Sequence, residues 1–138
     1  MTSIKEAQKQ IIEDFKLLPA WDDKYSYLIE LGQELPQMNP DFKNEENLVK
    51  GCQSNIWFHT RCEDGILTLE ADSDSLIVKG IASMLVKVLS GHSPQEVLDA
   101  DLTFIDTIGM RQHLSSQRSS GLIAMLEHIR KFASACTG

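Results

Sequence analysis

Apolar residues recur every three to four positions from the first residues onward. Ile4, Ala7, Ile11, Ile12, Phe15 and Leu18 fall on one face of a helix. Ser3 and Glu6 stand at capping-box spacing ahead of it, and Pro19 stops it. A second helix is expected over roughly Asp22 to Leu35. Asp22 and Asp23 suit its positive end. Tyr25, Leu28, Ile29, Gly32 and Leu35 form its inward stripe, and Pro36 ends it. The stretch "PQMNPDFKNEEN" that follows carries two prolines and reads as a polar loop.

The period then changes to two. Ile56, Phe58, Thr60 and Cys62 alternate with Trp57, His59 and Arg61. "EDG" supplies a turn, and Ile66 to Ala71 returns with Leu67, Leu69 and Ala71 on one face, which predicts a hairpin. "NLVKG" is expected to add a third strand. From "DSDS" onward the pattern is helical again. Ser73 or Asp74 is placed to cap a helix whose core face holds Ile77, Ile81, Leu85 and Leu89, closed by Gly91. Ser93, Pro94 and Glu96 start a short helix with a capping box and proline at its first position. Another short helix is expected near Phe104 to Ile108. The last runs from about Gln117 to Ala135 with Leu122, Met125, Leu126, Ile129 and Phe132 inward. The reading is α+β: a small antiparallel three-stranded sheet packed against helices on one side.

At 138 residues the chain has the size of one domain, taken as 1–138. A chain near this length buries about 70% of its unfolded surface, enough to fold without a staple. Its 42% apolar and 24% charged residues are ordinary for a water-soluble domain. The formal charge of −7 argues against nonspecific nucleic-acid binding and against docking on anionic lipid. No run reaches the ~20 apolar residues of a membrane span. The charged, amphipathic opening lacks the apolar core of a signal peptide. Three cysteines is an odd count, and with no secretion signal it favours reduced thiols in a cytoplasmic protein.

Cys52 is the most informative of them. A free cysteine is most often a small buried hydrophobe. Here Gly51 precedes it and polar Gln53, Ser54 and Asn55 follow, which describes a loop at the mouth of a strand, where working residues are found. Gly51 is able to take backbone angles that present its neighbour outward. Cys62 shares strand parity with Ile56 and Phe58 and is expected to pack; Cys136 lies near the end and reads as incidental. There is no C-x-x-C and no paired zinc-ligand spacing, and a cluster would need several converging thiolates. His59, His92 and His128 read as surface or packing residues. "GMRQHLSSQRSSGL" gathers Arg111, His113 and Arg118; it reads either as a solvated helix start or as a place where Arg118 reaches a thiolate or an anionic partner. Asp72 and Asp74 in "ADSDS" read first as helix-cap residues, with partner contact as the alternative.

Four blocks, "WDDKYSYLIELGQELP", "NLVKGCQSNIWF", "LEADSDSLIVKGI" and "QHLSSQRSSGL", resemble, in order, the motif blocks of the SufE family of sulfur acceptors. The likeness runs from about residue 8 to residue 132. It implies the α+β fold that SufE shares with IscU-type scaffolds. It implies a protein that takes persulfide sulfur from a PLP-dependent cysteine desulfurase of the SufS type, stimulates that enzyme, and passes the sulfur to an iron–sulfur cluster assembly scaffold. Such a carrier needs no cofactor of its own, since the PLP belongs to the desulfurase, and is a sulfur-transfer accessory rather than a free-standing enzyme. Cys52 matches the family's acceptor within G-C-Q-S. Gly51, Gln53, Asp72, Asp74, His113 and Arg118 fall in the motif blocks as supporting or partner-binding residues. Cys62 and Cys136 do not stand where two of the three cluster ligands of IscU relatives would be expected, which favours a carrier over a scaffold.

The chemistry adds its own requirements. The attacking species is a thiolate, and a cysteine of ordinary pKa near ~8.5 is only a few per cent ionised at neutral pH. A cation such as Arg118, or a base on the desulfurase, is expected to help. The loop is expected to shelter the Cys52 sulfur against apolar side chains at rest and to swing out on docking. Two other classes fit a single loop cysteine: a Cys-dependent hydrolase or transferase, and an IscU-like iron–sulfur scaffold. The first would turn over a small substrate without a partner; the second would hold a coloured cluster on all three cysteines.

Overall fold

The computed structural model describes residues 2–50, 54–110 and 116–137, with the side chains of 116–120 and 137 left out of the description. Helix α1 spans Ile4–Lys16, and the Ser3 hydroxyl caps it by accepting the Glu6 N–H at 3.0 Å. Helix α2 spans Trp21–Gln33. The two are joined across their faces by Phe15 and Tyr27, edge to face at 5.4 Å, and by Tyr27 Oη donating to Asp14 Oδ2 at 3.2 Å. Burial, and then Asp14, push the Tyr27 phenol up to about 12.

After a short 3-10 turn at Pro40–Phe42 come the strands β1, Ile56–Glu63, and β2, Ile66–Ser73, paired antiparallel with Ile56 opposite Ser73 and Glu63 opposite Ile66. Asp64 and Gly65 both take positive φ, 54° and 78°, which is the twist a two-residue hairpin turn requires. The expected third strand reduces to a single bridge. Val49 N–H donates to the Ile56 carbonyl at 2.8 Å and Phe58 N–H to the Asn47 carbonyl at 2.9 Å, but the ladder goes no further than Leu48 opposite Trp57. The side chain of Asn47 is turned instead to the Phe42 carbonyl, at 2.8 Å, which folds the preceding chain away from the sheet. On the other edge, a second bridge joins Leu67 to His92, and the Ser90 hydroxyl accepts the Leu69 N–H at 2.9 Å. Gly91, at φ 88°, turns the chain so that it lies there. Each edge of the two-stranded sheet thus carries one bridge from the neighbouring chain.

Helix α3, Leu76–Leu89, is the centre of the molecule; it packs on α1, α2, β2 and the last helix. Its N-cap is Ser75, whose hydroxyl accepts the Val78 N–H at 3.4 Å, rather than Ser73 or Asp74. Those two are still in the sheet ladder or bonded back to Asn55, so neither side chain is available to cap. Helices α2 and α3 cross closely. A Cβ on Gly80 would overlap the Leu28 carbonyl, and one on Gly32 would come within 3.0 Å of the Gly80 nitrogen. Helix α4, Pro94–Asp99, opens with the expected Ser93–Glu96 capping box; α5, Phe104–Thr107, follows. The buried Gln8 side chain of α1 accepts the Phe104 N–H at 3.3 Å. Helix α6, Ser116–Thr137, closes the fold against α4, α3 and β1. One core joins Phe15, Leu28, Phe58, Leu67, Leu85, Phe104 and Ile129, all at 2% exposure or less. Burying each such side chain contributes about 1.5–3 kcal/mol.

Candidate functional site

The loop that carries Cys52 has well-defined feet. On one side Val49 N–H donates to the Ile56 carbonyl at 2.8 Å, which fastens the chain to the hairpin ahead of the Cys52 segment. On the other side Asn55 is held by the start of the helical half. Its backbone N–H donates to Asp74 Oδ1 at 3.1 Å, and its side-chain amide donates to Asp74 Oδ2 at 3.0 Å. Its carbonyl accepts the Ser73 hydroxyl at 2.8 Å and the Asp74 N–H at 3.2 Å. The ladder in effect continues one pair beyond Ile56 and Ser73, with the Asp74 carboxylate standing in for a backbone carbonyl. Asp74 is an exposed residue, so its charge also faces solvent.

Asp72 sits one register pair deeper, opposite Trp57. Its carboxylate accepts Lys43 Nζ at 2.7 Å, Lys79 Nζ at 3.3 Å and the Ser73 N–H at 2.8 Å. Partial burial works against ionisation, but the hydrogen bonds from Lys43, Ser73 and Lys79 outweigh it and hold the carboxyl below its usual range. Lys43 Nζ also lies 5.5 Å over the Trp57 ring. Asp72 thus fastens the loop before β1 to α3, with its charge engaged internally. Asp74 is the acidic residue of this pair that remains at the surface.

Cys52, Gly51, Gln53 and His113 lie outside the described residues. Arg118 stands in the first turns of α6, its side chain outside the description. The structure brings Asp72 and Asp74 together with the foot of the Cys52 loop. Asn55, Lys43 and Lys79 emerge as supporting residues that the sequence did not single out, and Ser73, expected as a helix cap, joins them. Only Asn55 and Ser73 gave any signal, as short polar residues flanking a strand pair, a type that bonds locally to backbone.

The other histidines are structural. His59 stacks on Phe42 at 3.8 Å, and its Nδ1 lies 3.5 Å from the Asn47 amide nitrogen. His92 is buried, with Nδ1 3.8 Å from Glu96 Oε2. His128 packs between Phe58 and Phe132, at 6.4 and 4.9 Å. Burial holds its imidazole below the usual range, only partly countered by a hydrogen bond to the Phe58 backbone.

The expectation of three reduced thiols is corrected. Cys62 and Cys136 form a disulfide, with Cα atoms 6.2 Å apart and a sequence separation of 74. Cys62 does pack against the core as its parity suggested. The bond follows from matched reach along two elements that run side by side. From Phe58 to Cys62 a strand rises about 13 Å. From His128, beside Phe58, to Cys136 a helix rises about 12 Å. No spacing within the sequence reveals that register. Among the described residues, no group of three or more His, Cys, Asp or Glu side chains is placed to hold a metal ion. Among them, too, no helix is long and apolar enough to cross a membrane.

Fold and site together define a helix-backed α+β hairpin domain in which the chain is anchored on both sides of the Cys52 segment. Comparison with known proteins is specific. The model of the SufE family, described as an Fe–S metabolism associated domain, matches residues 9–133. A SufE-like protein of Rhizobium meliloti is 41% identical over 129 residues, covering 90% of this chain and 92% of that one. Another, from Rhizobium etli, is 40% identical over 129 residues, covering 90% and 87%. The solution structure of a hypothetical protein from Thermus thermophilus superposes with a TM-score of 0.78 at 27% identity, over 99% of this chain and 98% of that one. The chain belongs to the SufE family and is thereby associated with iron–sulfur metabolism.

Proposed function

We propose that this protein is a sulfur acceptor whose working group is Cys52. The observation that carries the reading is the family match across residues 9–133, which encloses the G-C-Q-S segment. The Cys52 thiolate attacks the outer sulfur of a persulfide on a PLP-dependent cysteine desulfurase of the SufS type. The S–S bond of that persulfide breaks, its electron pair returns to the desulfurase cysteine as a thiolate, and Cys52 leaves as Cys52–S–SH. The sulfur then passes to an iron–sulfur assembly scaffold by the same exchange chemistry. Clearing the persulfide frees the desulfurase for its next cycle, which is how an acceptor stimulates its donor.

Two structural features support this. The segment that carries Cys52 is flanked by two anchors, the Val49–Ile56 bond ahead of it and the Asn55–Asp74 bonds after it. Engagement of Cys62 and Cys136 with each other leaves Cys52 as the cysteine outside that pair, which suits a carrier of one sulfur at a time. The test is desulfurase turnover: alanine formation from cysteine should rise on adding the wild-type chain and should not rise with Cys52→Ser. Stimulation by Cys52→Ser equal to wild type would refute the reading.

A further inference from the structure

We propose that the Cys62–Cys136 pair is a redox site, opened by dithiol reagents through attack at Cys136, that sets how firmly the last turns of α6 are held on β1. Three observations converge on it.

The first is position. The pair closes a span of 74 residues, linking the turn end of the hairpin to the last turn of the last helix. It stands at one end of a seam in which α6 lies along β1, with His128 beside Phe58 at the other end. A crosslink at the end of a terminal helix bears on the part of the chain most prone to fray.

The second is the chemistry of the seam. Thr60 Oγ1 on β1 and His128 Nε2 on α6 are both buried, and neither has a hydrogen-bond partner. Burying such atoms unpaired opposes the docking of helix on strand. Ile129 and Ala133, at 1% and 0% exposure, favour docking. The covalent link lies beyond Ala133, past the last buried apolar residue described on α6, so it is the tether for the turn that follows.

The third is asymmetry between the two sulfurs. Cys136 belongs to an exposed residue; Cys62 is half-buried and packed on the core. Exchange requires a thiolate to approach the sulfur under attack, so access selects Cys136. One thiolate of the reagent bonds to Cys136 Sγ, the protein S–S bond breaks, and Cys62 departs with the electron pair as a thiolate. The second thiol of the reagent then displaces Cys136 and closes the reagent's own disulfide. Two protein thiolates take up two protons, and two electrons have passed from the reagent to the protein. The reverse exchange with the oxidised reagent restores the link.

The experiment uses the full chain, oxidised with glutathione disulfide. Reduced glutathione is then added briefly as the probe, because a monothiol has no second thiol to resolve the mixed disulfide intramolecularly, and a prompt quench records which sulfur was attacked. After quenching with an alkylating agent, peptide mass mapping should find glutathione on Cys136 and the alkyl group on Cys62. Glutathione found mainly on Cys62, or equally on both, overturns the assignment. Amide exchange is read on the same oxidised and reduced chains. Reduction should speed exchange in residues 133–137 by about tenfold or more while leaving α3 unchanged. Unchanged exchange there overturns the structural half of the proposal. So does a chain that keeps all three cysteines alkylatable after the oxidation step. Cys62→Ala should reproduce the reduced pattern; because the wild-type comparison stands without it, a misfolded variant does not weaken the test.

Discussion

Asp74 and Asn55 are joined by two hydrogen bonds, one from the Asn55 backbone and one from its side chain, at 3.1 and 3.0 Å. One residue ends the Cys52 loop; the other lies just ahead of the helix that forms the centre of the core. The pair converts the rigidity of α3 into a fixed endpoint for the loop. Asp74→Ala should release that endpoint. Amide exchange at Asn55 should quicken by roughly fivefold, the equivalent of about 1 kcal/mol for hydrogen bonds at an exposed site. Exchange in β2 and α3 should not change. Equal exchange at Asn55 in both proteins would mean the clamp contributes nothing in solution.

Asp72 is held ionised by Lys43, Ser73 and Lys79, so its acid dependence has a definite sign. Its folded pKa lies below the ordinary 3.8, so its contribution is fully present above that value and is lost as pH falls through the lower, folded one. Asp72→Asn should lower stability at neutral pH and flatten the acid limb of the stability profile. Denaturant unfolding along an acid series measures both. An acid limb as steep as that of wild type would place the titrating group elsewhere.

His128 shifts stability with pH in the same direction. It is half-buried, and that burial lowers its pKa from 6.5, so the unfolded chain takes up a proton first as pH falls. Stability should drop below about pH 6.5 and level off once the folded-state imidazole also titrates. His128→Phe should remove that step from the thermal midpoint measured against pH. A step that persists would belong to another histidine.

The α2–α3 crossing depends on the absence of a side chain at Gly80, where a Cβ would overlap the Leu28 carbonyl. Gly80→Ala should cost about 1–3 kcal/mol by forcing the helices apart, despite the better helix propensity of alanine. Chemical denaturation resolves a change of that size. A stabilised variant would show that the helices separate without loss.

Local signals carried the architecture well. Capping at Ser3 and Ser93, the Asp64–Gly65 turn and the alternation of Ile56 and Phe58 are each written in adjacent residues, and each is present. The failures share a cause. The third strand was lost because Asn47 bonds to Phe42, a contact that propensity does not encode. The Lys43–Asp72–Lys79 cluster and the Cys62–Cys136 bond join residues 7 to 74 positions apart along the chain that are neighbours only in space. The cap on α3 shifted to Ser75 because Asp74 was already engaged with Asn55. For the site, Ser54 and Asn55 were legible from their polarity as residues ahead of β1, while Gly51, Cys52 and Gln53 lie outside the described residues. The network that anchors the loop was not legible, since it is built between a strand and a helix start 19 residues away.

The account stands or falls on the sulfur of Cys52. The direct measurement is the intact mass of the chain after incubation with a SufS-type desulfurase and cysteine, read for wild type, Cys52→Ser and Cys62→Ser. Wild type and Cys62→Ser should gain the mass of one sulfur atom, removable by a thiol reductant, and Cys52→Ser should gain none. A sulfur adduct of the same yield on Cys52→Ser would contradict the account.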